Sequence, residues 1–121
     1  MPDARFPVQE VSGVPVVIAP EEIDITNAVG LRTALLESAA RGHGTLVVDM
    51  TRTTFCDTAG LHALVAAHKR TLADGGQLLL VLAGQAVPRV FAITGLDRVI
   101  PHFASREEAL AHALDGPLPG T

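Results

Sequence analysis

A short polar segment, Asp57-Thr58-Ala59-Gly60, contains the residues whose types and spacing best suit a chemical event in this sequence. It follows Phe55-Cys56 and precedes a stretch with helical periodicity. We predict that Thr58 is the N-cap of that helix, with its hydroxyl accepting a hydrogen bond from a backbone N–H of the first turn. A hydroxyl there lies beside free N–H groups and the positive end of the helix dipole, which tolerate a phosphate. We therefore take this segment as the candidate functional site.

The same residues have simpler interpretations. Threonine is a favoured N-cap in its own right, so Thr58 could serve only to start the helix. Asp57, the preceding residue, could serve only to complement the positive end of the helix dipole. The local sequence leaves the structural and the functional interpretations of both residues open.

The histidines and the single cysteine give no sign of a metal site or a nucleophile. None of the five histidines has a second histidine four residues away or an acidic companion suited to zinc. We expect His62 to be exposed and His68 to lie on the apolar face of its helix. Cys56 has no visible base or second thiol, so we expect a small buried residue. We predict no catalytic residue, no metal and no cofactor.

Two patterns that suggest other chemistry are incomplete. Asp49 at a strand end resembles the phosphoacceptor of receiver domains, and Glu21-Glu22 resemble their acidic pair. Receivers also need a Ser or Thr after the fourth strand and a Lys after the fifth, whereas this chain has Ala83-Gly84 and Pro101-His102 there. Asp-Thr-Ala-Gly is similar to the Asp-Thr-Gly of aspartic proteases, but an extra residue interrupts it and a helix follows. We therefore expect no enzyme.

Apolar runs typical of strands alternate with amphipathic stretches typical of helices in the rest of the chain. The first two runs are joined at Ser12-Gly13, which predicts a hairpin. Strands are predicted over 6–11, 14–19, 46–49, 77–83 and 98–101, and the polar segment 20–27 is predicted to be a turn. Helices are predicted over about 28–41, from the N-cap Thr58 to a glycine stop at 74–76, over 86–94, and from the N-cap Ser105 to 114, where Ser105 and Glu108 form a capping box. The apolar face of the second helix is predicted to carry Leu61, Leu64, Val65, His68 and Leu72.

This order of elements predicts an α/β domain. We expect a mostly parallel sheet of four to five strands, with an N-terminal antiparallel strand and about four helices. In such sheets functional residues gather at the C-terminal ends of the strands.

Composition limits the size, the compartment and the partners of the protein. The chain has 121 residues, of which 48% are hydrophobic and 18% charged, so we expect residues 1–114 to fold as one domain and 115–121 to be a disordered tail. A formal net charge of −4 without a cluster of Lys and Arg argues against a nucleic-acid partner. A lone cysteine, no visible signal peptide and no apolar stretch long enough to span a bilayer predict a cytoplasmic protein without membrane association.

Six segments, in order along nearly the whole chain, resemble one family. FCDTAGLHALVAAHK, residues 55–69, resembles the F-x-D-S-x-G-L segment of STAS domains, the fold of anti-sigma factor antagonists. The other similar segments are Glu22-Ile23-Asp24 with Asn27-Ala28 (family E-L-D-x-x-T-A), Leu46-Val47-Val48-Asp49 (L-V-L-D-L), Val87-Pro88-Arg89-Val90-Phe91 (V-x-R-v-f), Thr94-Gly95-Leu96-Asp97 (x-G-L-d) and residues 105–110 (S-x-E-E-A-L). No single segment is specific, but their order and spacing are.

The resemblance implies a protein–protein switch in the regulation of transcription, typically under stress. In the family, a partner that is both an anti-sigma factor and a serine/threonine kinase phosphorylates the hydroxyl residue after the Asp of this loop. The unmodified antagonist binds that partner and frees a sigma factor, whereas the phosphorylated form does not bind. A separate metal-dependent serine/threonine phosphatase restores the unmodified form. Carried over to this sequence, the acceptor is Thr58.

The resemblance also implies a partner surface around Thr58, and we expect a monomer or weak dimer. The residues that we expect to contact the partner are Asp24, which matches a family carboxylate on the adjacent loop, and Asp57, Ala59, Gly60 and His62. The sequence departs from the family in having Thr as the acceptor where Ser is commoner, and Ala59 where many members have a second Ser. Glu21 replaces a family Gly and adds a charge near this surface.

A second class of function fits the same fold. STAS domains also serve as interaction or scaffold modules that are not phosphorylated, as in stress-sensing assemblies and accessory subunits of lipid transport. In that case Thr58 would be a helix residue only.

Overall fold

The computed structural model describes residues 6–42 and 44–115. The strands in these residues are β1 (Val8–Val11), β2 (Val14–Ile18), β3 (Glu22–Ile23), β4 (Thr45–Met50), β5 (Phe55–Cys56), β6 (Gln77–Leu82) and β7 (His102–Phe103). Five of them form one sheet in the order β1-β2-β4-β6-β7, while β3 and β5 form a small sheet of their own. The expected tail at 115–121 lies almost entirely outside the described residues.

The helices in the described ranges are α1 (Ala28–Arg41), α2 (Thr58–Ala73), α3 (Ala86–Thr94) and α4 (Arg106–Asp115), and a 3₁₀ helix covers Leu96–Arg98. Within these same ranges, none of the helices has both the length and the apolar character needed to cross a membrane.

The N-terminal hairpin is the antiparallel part of the large sheet, with Val11 opposite Val14. Its turn places Ser12 at a φ of 53° and Gly13 at 82°, the left-handed conformations that tight hairpin turns require. From β2 onward all neighbouring strands of this sheet run parallel. The structure therefore confirms the predicted fold class, including the number of helices.

The core lies on both faces of the large sheet, because successive side chains of a strand point to opposite sides. One face packs against α1, α2 and α3, whose Leu35, Leu64 and Phe91 are fully buried. The other face packs against α4 through Ala109 and Leu110. The central strands β4 and β6 are buried on both faces, which explains their continuous apolar sequences.

Arg106, the first residue of α4, ties this helix to the ends of two strands. Its Nη2 and Nε lie 2.7 and 3.2 Å from Oδ2 of Asp49, and its Nη1 donates a hydrogen bond of 2.7 Å to Oε1 of Gln9. Burial alone would raise the pKa of Asp49. Hydrogen bonds from Thr51 and the ion pair with Arg106 outweigh burial and hold this pKa below its ordinary value.

The capping box predicted at the start of α4 forms in part, because Glu108 reaches back to the hydroxyl of Ser105 and not to its backbone N–H. The Oγ of Ser105 accepts a hydrogen bond of 3.1 Å from the backbone N–H of Glu108 and donates one of 3.2 Å to Oε1 of the same residue. The predicted strand at 98–101 is wrong. The backbone N–H of Ile100 donates to the carbonyl of Leu96 at 3.0 Å, so this apolar run closes a turn and the last strand begins at His102.

Two further predictions need correction. Leu72 was expected on the apolar face of α2, but it is 59% exposed, and Thr71 is buried in its place. Thr71 lines a cavity together with Ala39 and Ala40, where the end of α2 lies beside the end of α1. The polar segment 20–27, predicted as a turn, contains β3.

Candidate functional site

The small sheet brings two distant loops together. Strands β3 and β5 are parallel, with Glu22 opposite Phe55 and Ile23 opposite Cys56. The backbone N–H of Asp57 continues this ladder by donating a hydrogen bond of 3.0 Å to the carbonyl of Ile23. Asp24 and Asp57 therefore follow neighbouring strands at the same end of the sheet, as the resemblance implied.

Asp57, not Thr58, is the N-cap of α2. The backbone of Asp57 is extended, with φ of −87° and ψ of −175°, and its Oδ1 accepts a hydrogen bond of 3.0 Å from the N–H of Gly60. The prediction that Thr58 is the cap is therefore wrong by one residue. The extended, strand-paired residue is Asp57, so the helix begins directly after it, one residue earlier than predicted. Thr58 is the first helical residue. Its side chain is exposed, and its hydroxyl has no hydrogen-bond partner among residues 6–42 and 44–115.

Gly60 allows the first turn of α2 to pack closely on the small sheet. A Cβ atom at this position would lie 2.7 Å from both Sγ of Cys56 and Cγ2 of Ile23, which is too short for a real contact. Gly60 is buried, so its contribution to the predicted partner surface is this close packing. The glycine fixes how far the Thr58 end of the helix stands from the sheet.

Asp24 is held in a local hydrogen-bond network on the loop before α1. Its carboxylate accepts hydrogen bonds from the backbone N–H and the hydroxyl of Thr26, and these bonds lower the pKa of Asp24. Its own N–H donates to Oδ1 of Asn27 at 2.9 Å, while Nδ2 of Asn27 donates to the carbonyl of Glu22 at 2.8 Å. The loop is therefore ordered by its own side chains and keeps Asp24 ionised.

The predicted contact residues differ in accessibility. Thr58 and His62 are exposed, whereas Asp24, Asp57 and Ala59 are half-buried. This exposure agrees with the prediction for His62.

A groove of about 250 Å³ lies between the N-terminal ends of α1 and α2, and the sequence analysis did not identify its α1 side. The residues that line it are Ile25, Ala28, Val29, Arg32, Ala59, His62 and Ala63. Ile25 and Val29 are 79% and 70% exposed, unusually high for large apolar side chains. An available signal was Ile25, an apolar residue between two polar ones in a segment predicted to be a polar turn.

Other reactive side chains lie outside this site or are inert. Burial, followed by the charge of Asp57, raises the pKa of the Cys56 thiol to about 12. Desolvation, followed by the charge of Lys69, lowers the pKa of His68, which is buried as predicted. Asp49 is 6% exposed and paired with Arg106, so it lacks the access that a receiver phosphoacceptor needs. In the described part of the chain, no three His, Cys, Asp or Glu side chains are grouped to hold a metal ion.

Comparison with known proteins gives a consistent result. The family model of the STAS domain matches residues 5–109. The anti-sigma-F factor antagonist RsfB of Mycobacterium tuberculosis is 28% identical over 109 residues, which cover 90% of this chain and 88% of RsfB. A crystal structure of an anti-sigma factor antagonist from Mycobacterium paratuberculosis matches with a TM-score of 0.81 and 30% identity, over 91% of this chain and 93% of that one.

The fold is also that of SpoIIAA, an anti-sigma factor antagonist whose unphosphorylated form matches with a TM-score of 0.71 at 22% identity, over 87% of this chain and 92% of SpoIIAA. The family model covers most of the chain, and the relatives match along most of their own length. The chain therefore belongs to the STAS domain family, among the anti-sigma factor antagonists.

Proposed function

We propose that this protein works by partner switching in a cytoplasmic stress response. Its unphosphorylated form binds an anti-sigma factor that is also a serine/threonine kinase, and a sigma factor is thereby freed. Phosphorylation of Thr58 ends that binding, and a metal-dependent serine/threonine phosphatase restores it. The observation that carries the proposal is the exposed hydroxyl of Thr58 at the start of α2, unbonded within the described residues.

The cap geometry supports this role. An N-cap hydroxyl would be engaged in holding the first turn, and its modification would weaken the helix. Here the carboxylate of Asp57 holds that turn through Gly60, so the hydroxyl of Thr58 is available to a kinase without loss of the cap. SpoIIAA has been solved in a phosphorylated as well as an unphosphorylated form, so an antagonist of similar fold carries a phosphate.

Electrostatics and desolvation explain how a phosphate would cause release. It adds about −1.5 to −2 charges near neutral pH. On Thr58 this charge adjoins Asp57, and Asp24 follows the neighbouring strand, so the local potential becomes strongly negative. Burying such a dianion in an interface without a matching cation costs several kcal/mol, more than the margin of most transient contacts.

The fold itself should change little on phosphorylation. At the N-terminus of α2 the helix dipole stabilises negative charge, so the helix is not expected to melt. A structure of the phosphorylated protein should superpose on the unmodified one. A rearranged first turn of α2 would refute release by electrostatics alone.

A direct test uses the purified candidate anti-sigma factor kinases of the source organism, with ATP and Mg²⁺. Wild type and Thr58→Ser should each take up one phosphate in intact-mass measurements, whereas Thr58→Ala should take up none. Thr54→Ala is the matched control, because Thr54 is another exposed threonine, four residues earlier in the chain and directly before β5. Phosphorylation of Thr58→Ala at the wild-type rate would contradict the proposed acceptor.

A binding measurement with the same kinases separates the two classes of function. The switch requires that the unmodified protein binds one of them and that the phosphorylated protein binds it at least about tenfold more weakly. Binding without phosphorylation by any of them would favour the interaction module that is not phosphorylated.

A further inference from the structure

We infer that the groove between the N-terminal ends of α1 and α2 receives an apolar side chain of the anti-sigma factor that is accompanied by a carboxylate. The inference rests on the proposed function and names the part of the partner that this surface recognises. It adds Ile25, Val29 and Arg32 to the contact residues that the sequence predicts.

The shape of the groove suits one or a few apolar side chains. Its floor consists of alanines, of which Ala28 and Ala63 are buried, so the two helices leave space between them. Ile25 and Val29 form its exposed apolar wall. Burial of these two side chains by a partner would remove apolar surface from water, the main favourable term in association.

Arg32 is the permanently charged residue among those that line the groove, and its charge is positive. Arg32 and His62 line the groove, are exposed, and have no ion pair or side-chain hydrogen bond in the described part of the chain. The carboxylates of Asp24 and Asp57 keep their negative charge, but they do not line the groove and accept hydrogen bonds from Thr26 and Gly60. A guanidinium without a partner, beside an apolar surface, is complementary to a carboxylate next to an apolar side chain.

This surface is continuous with the proposed switch. Ala59, which lines the groove, directly follows Thr58 in the first turn of α2. A phosphate on Thr58 would therefore place negative charge beside the docking position of the partner carboxylate. The same groove explains both why the unmodified form binds and why the modified form is released.

The test compares groove variants with matched controls in titration calorimetry against the anti-sigma factor that wild type binds. Val29→Ser and Arg32→Glu should each weaken binding about tenfold or more. Leu114→Ser removes an exposed apolar side chain from α4, on the other face of the sheet, and Lys69→Glu makes the same charge change in the second half of α2. Both controls should bind within about twofold of wild type.

Two further measurements separate a lost contact with the partner from a loss of folding. Far-UV circular dichroism and thermal unfolding of each variant should match wild type, because Val29 and Arg32 are exposed on a helix surface. The effect of Arg32→Glu should shrink in high salt, since surface charge pairs are screened. A salt-independent loss would contradict the carboxylate contact.

The failures of this inference and of the proposed function are distinguishable. If wild type neither binds nor is phosphorylated by any anti-sigma factor kinase, the proposed function fails, and the groove inference fails with it. If wild type binds but both groove variants bind equally well, the groove inference alone is overturned. Equal losses in the groove variants and in the controls would also overturn it.

Discussion

The Oδ1 atom of Asp57 lies 3.0 Å from the backbone nitrogen of Gly60 and accepts its hydrogen bond, which closes the first turn of α2. Thr58 lies between these two residues, exposed at the first helical position. Because the carboxylate of Asp57 holds the first turn of the helix, the hydroxyl of Thr58 remains available for modification. Helix stability and phosphorylation should therefore be separable by mutation.

Loss of the cap should cost more stability than loss of the proposed acceptor. Asp57→Ala removes the acceptor of the Gly60 bond and should lower the free energy of unfolding by about 1 kcal/mol. Thr58→Ala should change it by less than about 0.5 kcal/mol, because Thr58 is an exposed residue without a side-chain bond in the described ranges. Urea unfolding followed by far-UV circular dichroism suits this chain, which has no Trp or Tyr. A larger loss in Thr58→Ala than in Asp57→Ala would contradict the assignment of the cap.

Gly60→Ala should destabilise the protein even though alanine favours helices. The helix propensity of Ala over Gly contributes about 1 kcal/mol of stability. The new Cβ would, however, lie 2.7 Å from Sγ of Cys56 and from Cγ2 of Ile23. Overpacking of this kind typically costs about 1–3 kcal/mol, so the net change should be unfavourable. Cys56→Ala removes one of the two clashes, so the double variant should lose less stability than the two single changes summed. If the losses of the two single variants simply add in the double variant, as measured by urea unfolding, the clash between a Cβ at position 60 and Cys56 is contradicted.

The partly buried ion pair between Arg106 and Asp49, whose side chains are 34% and 8% exposed, should contribute more to stability than an exposed pair. Asp49→Asn leaves the guanidinium of Arg106 without its anionic partner and should lower the free energy of unfolding by about 1–3 kcal/mol at pH 7. The control is Arg70→Gln, which breaks an i,i+4 pair with Asp74 whose side chains are 66% and 61% exposed. That change should stay within about 0.5 kcal/mol.

The ion pair between Arg106 and Asp49 also predicts that the stability of the fold depends on pH. Because the pKa of Asp49 is lower in the folded protein than its ordinary value, its ionised form contributes stability at all pH values above that ordinary value, about 4. This contribution is lost as the pH falls through the pKa of the folded state. The difference in the free energy of unfolding between wild type and Asp49→Asn should therefore have its full value at pH 7 and shrink below a pH of about 4. A difference that grows toward acid pH would have the wrong sign.

Cys56 should be unreactive in the folded protein. Its pKa of about 12 keeps the thiol protonated near neutral pH, and its side chain is 7% exposed. A thiol reagent such as DTNB at pH 8 should react at least about a hundredfold faster in 6 M guanidinium chloride than in buffer. The chain has a single cysteine, so the signal has one source. Rapid reaction of the native protein would show that β5 opens readily or that the thiol is accessible.

The long elements could be predicted from the sequence because their patterns repeat many times. The helix predicted over 86–94 has the observed bounds of α3, and the apolar runs of β4 and β6 are continuous because both strands are buried on two faces. Short elements depend instead on tertiary contacts. Strand β3 has two residues and is fixed by β5 and by bonds such as that from the hydroxyl of Thr53 to the carbonyl of Pro20 at 2.8 Å.

The candidate site was predicted at the right loop but with one local error. Aspartate and threonine are both favoured N-caps, so adjacent Asp57 and Thr58 could not be ranked from their types. The hydrogen bond from the N–H of Asp57 to Ile23 decides between them, and it joins residues 34 positions apart. The wall formed by Ile25, Val29 and Arg32 was missed for a similar reason, since it becomes a groove only when α1 and α2 lie side by side.

The most direct test of the switch is phosphosite mapping by mass spectrometry on the protein recovered from its native cell, with and without stress. The account predicts a single phosphate on Thr58 whose occupancy changes with the condition, and no phosphate on a Thr58→Ala chain expressed in the same way. An unmodified Thr58 under every condition, in cells where the kinase is present, would contradict the account. The protein would then be a constitutive binding module with Thr58 as an ordinary helix residue.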